Sequence, residues 1–140
     1  IISPMLPVGA TPRRGMEHMV NIISTGPDIV LQETAGARLA ESAVAAAAGV
    51  ASPAIRARSR GRKPVANARQ RAMYLAHVTF GLSLTRVGAC FGRDRTTVRH
   101  ACALVEDSRD DPRCELGLDM LEEALLAIES SLALRSREVL

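Results

Sequence analysis

The sequence predicts an all-α fold: a compact helical domain containing a helix-turn-helix, preceded by a disordered N-terminal tail. Three observations carry this. Apolar residues recur at steps of three and four over most of residues 28–135, the spacing of one helix face. Aromatic residues are only 2% of the chain, with no Trp, so packing must be aliphatic and alanine-rich. Two short helical stretches between residues 84 and 107 are joined by a tight turn containing Gly92. A length of 140 residues suits one domain with tails, and 47% hydrophobic with 24% charged residues is ordinary for a chain that folds.

Residues 1–27 contain Pro4, Pro7, Gly9, Pro12, Gly15, Gly26 and Pro27 without periodicity, which predicts a flexible tail. Arg13 and Arg14 within it read as part of a solvated tail, with weak phosphate contacts as the alternative. Asp28 stands in the N-cap position of a first helix running to about Ala48, with Leu31, Ala35, Leu39, Ala43, Ala46 and Val50 as its apolar stripe. Ser52-Pro53 is a second cap-like start that dissolves into a basic loop, Arg56, Arg58, Arg60, Arg62 and Lys63 around Gly61. After Pro64, the residues Val65, Ala68, Ala72, Leu75, Ala76 and Thr79 predict a helix over 65–80, stopped by Gly81, with Arg69 and Arg71 off its stripe.

Ser83 then caps a short helix, Leu84 to Cys90, and Asp94 caps another that runs to about Asp107. Asp110-Asp111-Pro112 breaks the chain before a last helix from about Arg113 to Arg135. Its stripe of Leu118, Leu121, Leu125, Ile128 and Leu132 covers about two heptads, which predicts packing onto the parent domain, with a dimer seam as the alternative. The chain divides accordingly into a tail (1–27), a helix-turn-helix domain (28–112) and a C-terminal helix (113–140).

The net charge of +3 hides a strong asymmetry. From Ser52 to Val105 eleven Arg and Lys residues face one acid, Asp94, so this stretch carries +10 and the remainder −7. Such a basic centre is the footprint of a polyanionic partner. Lys63 is the single lysine and sits in Arg62-Lys63-Pro64, which excludes a phosphate-binding P-loop. Cys90, Cys102 and Cys114 are twelve apart with no CxxC pair, so no metal site is expected and the thiols read as reduced, in a cytoplasmic, nucleoid-associated protein without a signal peptide. No apolar run suffices for a bilayer. No paired carboxylates, no nucleophile with its base and no metal cluster converge in the sequence, so neither catalysis, a cofactor nor a small-molecule substrate is expected. The scarcity of aromatics also removes a stacking platform for single strands.

On the helix that starts near Asp94, Val98, Ala101, Cys102 and Val105 share one face, while Arg95, Thr96, Arg99 and His100 fall on the opposite arc. An outward row of guanidiniums, a hydroxyl-methyl group and an imidazole near a helix N-terminus is base-reading chemistry in a major groove.

The segment Phe91-Gly92-Arg93-Asp94-Arg95-Thr96-Thr97-Val98-Arg99-His100-Ala101 closely resembles the FG(G)RDHTTVxHA signature in the C-terminal DNA-binding domain of the bacterial chromosomal replication initiator DnaA. Ala68-Arg69-Gln70-Arg71-Ala72-Met73-Tyr74-Leu75 is similar to that family's RQxAMYL helix, and Leu82-Ser83-Leu84-Thr85-Arg86-Val87-Gly88 to its LSLxxIG entry into the helix-turn-helix. The resemblance spans about residues 29–112. It implies binding of duplex DNA at short A/T-rich boxes of the DnaA-box type, in control of replication initiation or transcription. Asp94, Arg95, Thr96 and Thr97 occupy the positions that read bases, and Arg99 joins them from the helix face. Arg60 or Arg62 is expected in the minor groove. Arg69, Gln70, Ser83 and Thr85 fall where the family meets the phosphate backbone, with Arg58, Lys63, Arg93 and His100 as further backbone contacts.

Two departures stand out. The family's usual His is Arg95 here, which shifts the preference at that base toward guanine. No ATPase residues precede Asp28, so the chain is expected to act as a short stand-alone relative, without ATP hydrolysis. The alternative is a protein-interaction module that modulates an initiator or another partner, with DNA incidental. A replication initiator or a second copy, met through the C-terminal helix, would be the protein partner.

Overall fold

Alanine has the highest helix propensity, and the run Ala43 to Ala48 secures a helix without telling which side faces inward. In the computed structural model, which describes residues 27–139, this helix is α1 (Pro27–Ala48). The others are α2 (Ser52–Arg56), α3 (Lys63–Phe80), α4 (Leu84–Phe91), α5 (Arg95–Ser108) and α6 (Pro112–Val139), and the described residues contain no strand. The predicted tail, with Arg13 and Arg14, lies outside the described residues save for Pro27, the first residue of α1.

The stripe expected on α1 is displaced. Leu31, Ala35 and Ala46 are exposed, and the inward face consists of Ala37, Ala40, Glu41, Val44 and Ala45. The reason is Glu41, 2% exposed, whose carboxylate is enclosed by cations and a hydroxyl. Arg38 donates to its Oε1, Ser52 Oγ donates to its Oε2 at 2.6 Å, and Arg56 Nε lies 2.8 Å from Oε1. Ser52 is therefore no cap: Ala51 holds the N-cap position of α2, and the Ser52 hydroxyl ties α2 to α1. Likewise Asp28 lies inside the first turn of α1, not ahead of it.

Helix α3 is the centre, with α1 and α5 packed against it. Ala66, Ala68, Ala72 and Ala76 let the neighbouring backbones approach, and Met73, Tyr74, Leu75 and Phe80 fill the space between. Val65 is half-buried and the helix starts at Lys63, two residues earlier than the periodicity indicates, because Pro64 is compatible with a first turn.

Ser83 caps α4 by accepting from Arg86 N–H at 3.1 Å, and Asp94 caps α5 by accepting from Thr97 N–H at 2.7 Å. Between them Gly92 takes φ +67, the left-handed conformation that favours glycine, and Arg93 N–H donates to Gly88 O at 2.9 Å. Gly88 is required by close approach: a Cβ there would stand 2.3 Å from Arg93 O. Backbone lies on both sides, so neither yields cheaply. Gly88→Ala is expected to lower stability by about 3 kcal/mol, through overpacking of the turn. Thermal denaturation followed by circular dichroism checks this, and an unchanged melting temperature would contradict the tight packing of the two helices.

Helix α6 lies against α1 and α3. Leu118 and Leu125 are buried and Leu121 is half-buried, whereas Ile128 and Leu132, the second half of the predicted stripe, are about half exposed. Its first turns are held by Arg109, which reaches Glu115 at 2.6 Å, Asp119 at 3.1 Å and Glu122 at 3.2 Å. The same guanidinium donates to Tyr74 Oη at 2.9 Å and stacks over its ring, and Tyr74 donates to Glu106. One arginine thus ties α3, α5 and α6 together. Burial pushes the Tyr74 phenol above its ordinary range.

Candidate nucleic-acid interface

Seventeen of the eighteen basic residues are arginines, and the fold divides those of the basic centre, half-buried Arg71 apart, into two groups. The first group is tied to the protein itself. Arg69 is 4% exposed and donates to four carbonyls: Ile55 at 2.5 Å, Arg60 at 3.0 Å, Ala54 at 3.1 Å and Ser59 at 3.3 Å. Arg93, from the turn of the helix-turn-helix, donates to Ala57 at 3.0 Å and reaches Ser59. Arg56 holds Glu41, and Arg86 bridges α4 to Glu33 of α1 at 2.9 Å. Burial, and next the positive charge of Arg93, lower the Arg69 guanidinium's affinity for its proton.

The consequence is geometric. The carbonyls of the loop between α2 and α3 turn inward to two guanidiniums, and the side chains of Arg58, Arg60 and Arg62 are left exposed. Arg58, Arg60 and Arg62, with Lys63 at the head of α3, form the second group together with Arg95 and Arg99 of α5. Among the described residues none of these six has an ion pair or side-chain hydrogen bond.

Arg69 is the clearest difference from the sequence reading, which places it on a phosphate and off the apolar stripe. The residue lines a groove between the loop, α3 and α5, and its donors reach four carbonyls of the protein itself, which holds the loop in shape. Arg93 is half-buried and shares that task. Nothing in the residue types separates these two from the outward arginines, and the partners that do so are nine to thirty-six positions away in the chain.

The remaining site residues are placed as follows. Asp94 at the N-cap and Arg95, Thr96, Thr97, Arg99 and His100 on the first two turns of α5 are all exposed, while Val98, Ala101 and Val105 are buried. The hydrogen bond from Thr97 N–H holds the Asp94 carboxyl below its ordinary range. The cap therefore acts above that range and is lost only as pH falls through the lowered value. Ser83 and Thr85 are exposed at the start of α4, and Gln70 is half-buried.

A groove of about 320 Å³ runs between the basic loop, α3 and α5, lined by Arg58, Arg60, Gln70, Thr97, His100 and Leu104 among others. The loop, through Arg58 and Arg60, and the flank of α5 that carries Thr97, His100 and Leu104 thus border one concave surface.

Other reactive groups are occupied elsewhere. His77 Nδ1 lies 2.6 Å from Leu82 O. Burial pushes the Cys102 thiol up to about 11, with Glu106 adding to the effect, and burial also raises Cys90. All three cysteines are unpaired, and among the described residues no group of three His, Cys, Asp or Glu side chains could hold a metal ion. No helix of the described residues is long and apolar enough to cross a membrane.

Comparison with known proteins agrees with this geometry. Residues 40–105 match the family model described as the bacterial dnaA protein helix-turn-helix. That segment begins within α1 and ends in α5, so it contains the basic loop and both helices of the motif. No solved structure matches the chain.

Proposed function

We propose, from the match of residues 40–105 to the bacterial dnaA protein helix-turn-helix model, that the protein binds duplex DNA sequence-specifically at short A/T-rich sites of the DnaA-box type. It acts by occupancy, in control of replication initiation or of transcription, and needs no ATP hydrolysis. The observation that supports this most is the set of six exposed, unpaired cations on two neighbouring elements, the loop and α5.

In this reading Asp94, Arg95, Thr96, Thr97 and Arg99 enter the major groove, since α5 presents them on its first two turns. Arg60 or Arg62 enters the adjacent minor groove, where a narrow A/T tract concentrates negative potential. Arg58, Lys63, Gln70, Ser83, Thr85 and His100 meet phosphates. Arg69 and Arg93 serve by holding the loop in shape.

Replacing Arg60 and Arg62 together by Ala is expected to weaken binding to every duplex and to reduce the logarithmic salt slope by about two. Fluorescence anisotropy with a box-containing and a scrambled duplex measures both. A loss confined to one sequence, with an unchanged slope, would contradict the loop's assignment.

A second reading, a protein-interaction module centred on α6, is favoured by the exposure of Leu116, Met120, Ile128, Leu132 and Leu134 on that helix. Residues 113–140 would then be an appendage to the DNA-binding unit at 28–112, offered to an initiator or a second copy. Its marker is a complex that survives high salt, because apolar contacts are not screened.

A further inference from the structure

We propose that the protein reads two guanines separated by no more than one base pair, one through Arg95 and the other through Arg99; the inference rests on the duplex-DNA function above. Arg95 is the first residue of α5, directly after the capping Asp94. A cation there opposes the helix dipole, which favours negative charge at this end. Arg99 follows one turn later on nearly the same face, where two like charges repel. Neither guanidinium has an ion pair or side-chain hydrogen bond among the described residues, although Arg38, Arg56, Arg69, Arg86, Arg93 and Arg109 all do. The fold gains nothing from this pair, and a local conflict of this kind marks a residue kept for an external acceptor.

The geometry separates that acceptor from the phosphates. Thr97, His100 and Leu104 line the groove toward the basic loop, and they occupy one flank of α5. By helical geometry Arg95 and Arg99 differ by roughly 40° and lie on the opposite flank, with exposed Thr96 between the two flanks. Two guanidinium forks projecting from the N-terminal turns of a recognition helix face base edges, and the acceptor pair that fits such a fork is guanine O6 with N7. Their axial separation is roughly 6 Å, which corresponds to about two base-pair steps for a helix along the groove and about one for an inclined helix.

The test selects the best-bound duplex from a random library, then replaces its guanines one at a time by 7-deazaguanine, which removes the N7 acceptor. Affinities are measured for the wild type, Arg95→Ala and Arg99→Ala. Both side chains are exposed, so melting temperatures should match the wild type and a folding defect is recognisable. The expected result is a loss of roughly 5- to 150-fold for the wild type at each of two neighbouring guanines. Arg95→Ala becomes indifferent to one substitution and Arg99→Ala to the other. The inference is overturned if the selected duplex lacks such a pair of guanines, or if Arg99→Ala weakens all duplexes equally with a smaller salt slope, the mark of a phosphate contact. A wild type that prefers no duplex would overturn the proposed function itself, before any variant is compared.

Discussion

Replacing Glu41 by alanine is expected to destabilise the protein by about 3 kcal/mol, the lower end of the range for breaking a buried ion pair. Glu41 is 2% exposed, so its carboxylate is fully withdrawn from water and compensated by Arg38, Arg56 and the Ser52 hydroxyl. Removing it leaves two guanidiniums without their countercharge. Both reach solvent in part, with side chains 32% and 46% exposed, and this rehydration keeps the loss from being larger. The same substitution releases α2 from α1, because Ser52 and Arg56 are the polar links between them. Glu41→Gln retains an acceptor for Ser52 and Arg56 and is expected to lose less. Urea denaturation of the three proteins measures the order, and equal stability of Glu41→Ala and wild type would remove the cluster from the account of the fold.

Arg69→Ala is expected to lower stability by about 3 kcal/mol and duplex affinity at least tenfold, through the loop that Arg69 holds in shape. Four carbonyls lose a charged donor, and the carbonyl of the fully buried Ile55 has no ready access to water. The loop that carries Arg58, Arg60 and Arg62 would lose its shape. A lysine provides the same charge but not the planar fork that reaches several carbonyls at once, so Arg69→Lys should rescue neither property well. If Arg69 met a phosphate instead, lysine would be an adequate substitute and stability would hardly change. Thermal denaturation and duplex titration of the two variants therefore separate a loop-shaping arginine from a DNA-contacting one.

These two residues also show where the sequence is silent. The helix-turn-helix is legible because its signals are local: Ser83 and Asp94 cap within three residues, and Val98, Ala101 and Val105 mark one face. The inward side of α1 is not, because alanines on every side of the helix give the periodicity no contrast. A glutamate in such a run reads as solvent-facing, since its partners Ser52 and Arg56 lie eleven and fifteen residues away on another helix. The outward residues of α5 follow from its apolar face, whereas the division of arginines into loop-holding and exposed groups depends on which carbonyls the folded chain brings near. The role of Arg109 is equally non-local, since Tyr74 and the carboxylates of Glu115, Asp119 and Glu122 converge on it from α3 and α6.

In the proposed function the exposed cations of the loop and of α5 together form the duplex-DNA surface. This is tested most directly by titrating the wild-type protein onto box-containing and scrambled duplexes over a series of salt concentrations. With about six phosphates neutralised, the affinity should fall with a logarithmic salt slope near −5, and the box-containing duplex should bind more tightly at every salt concentration. Absence of binding to the box-containing duplex at low salt, or an affinity indifferent to salt, would contradict it.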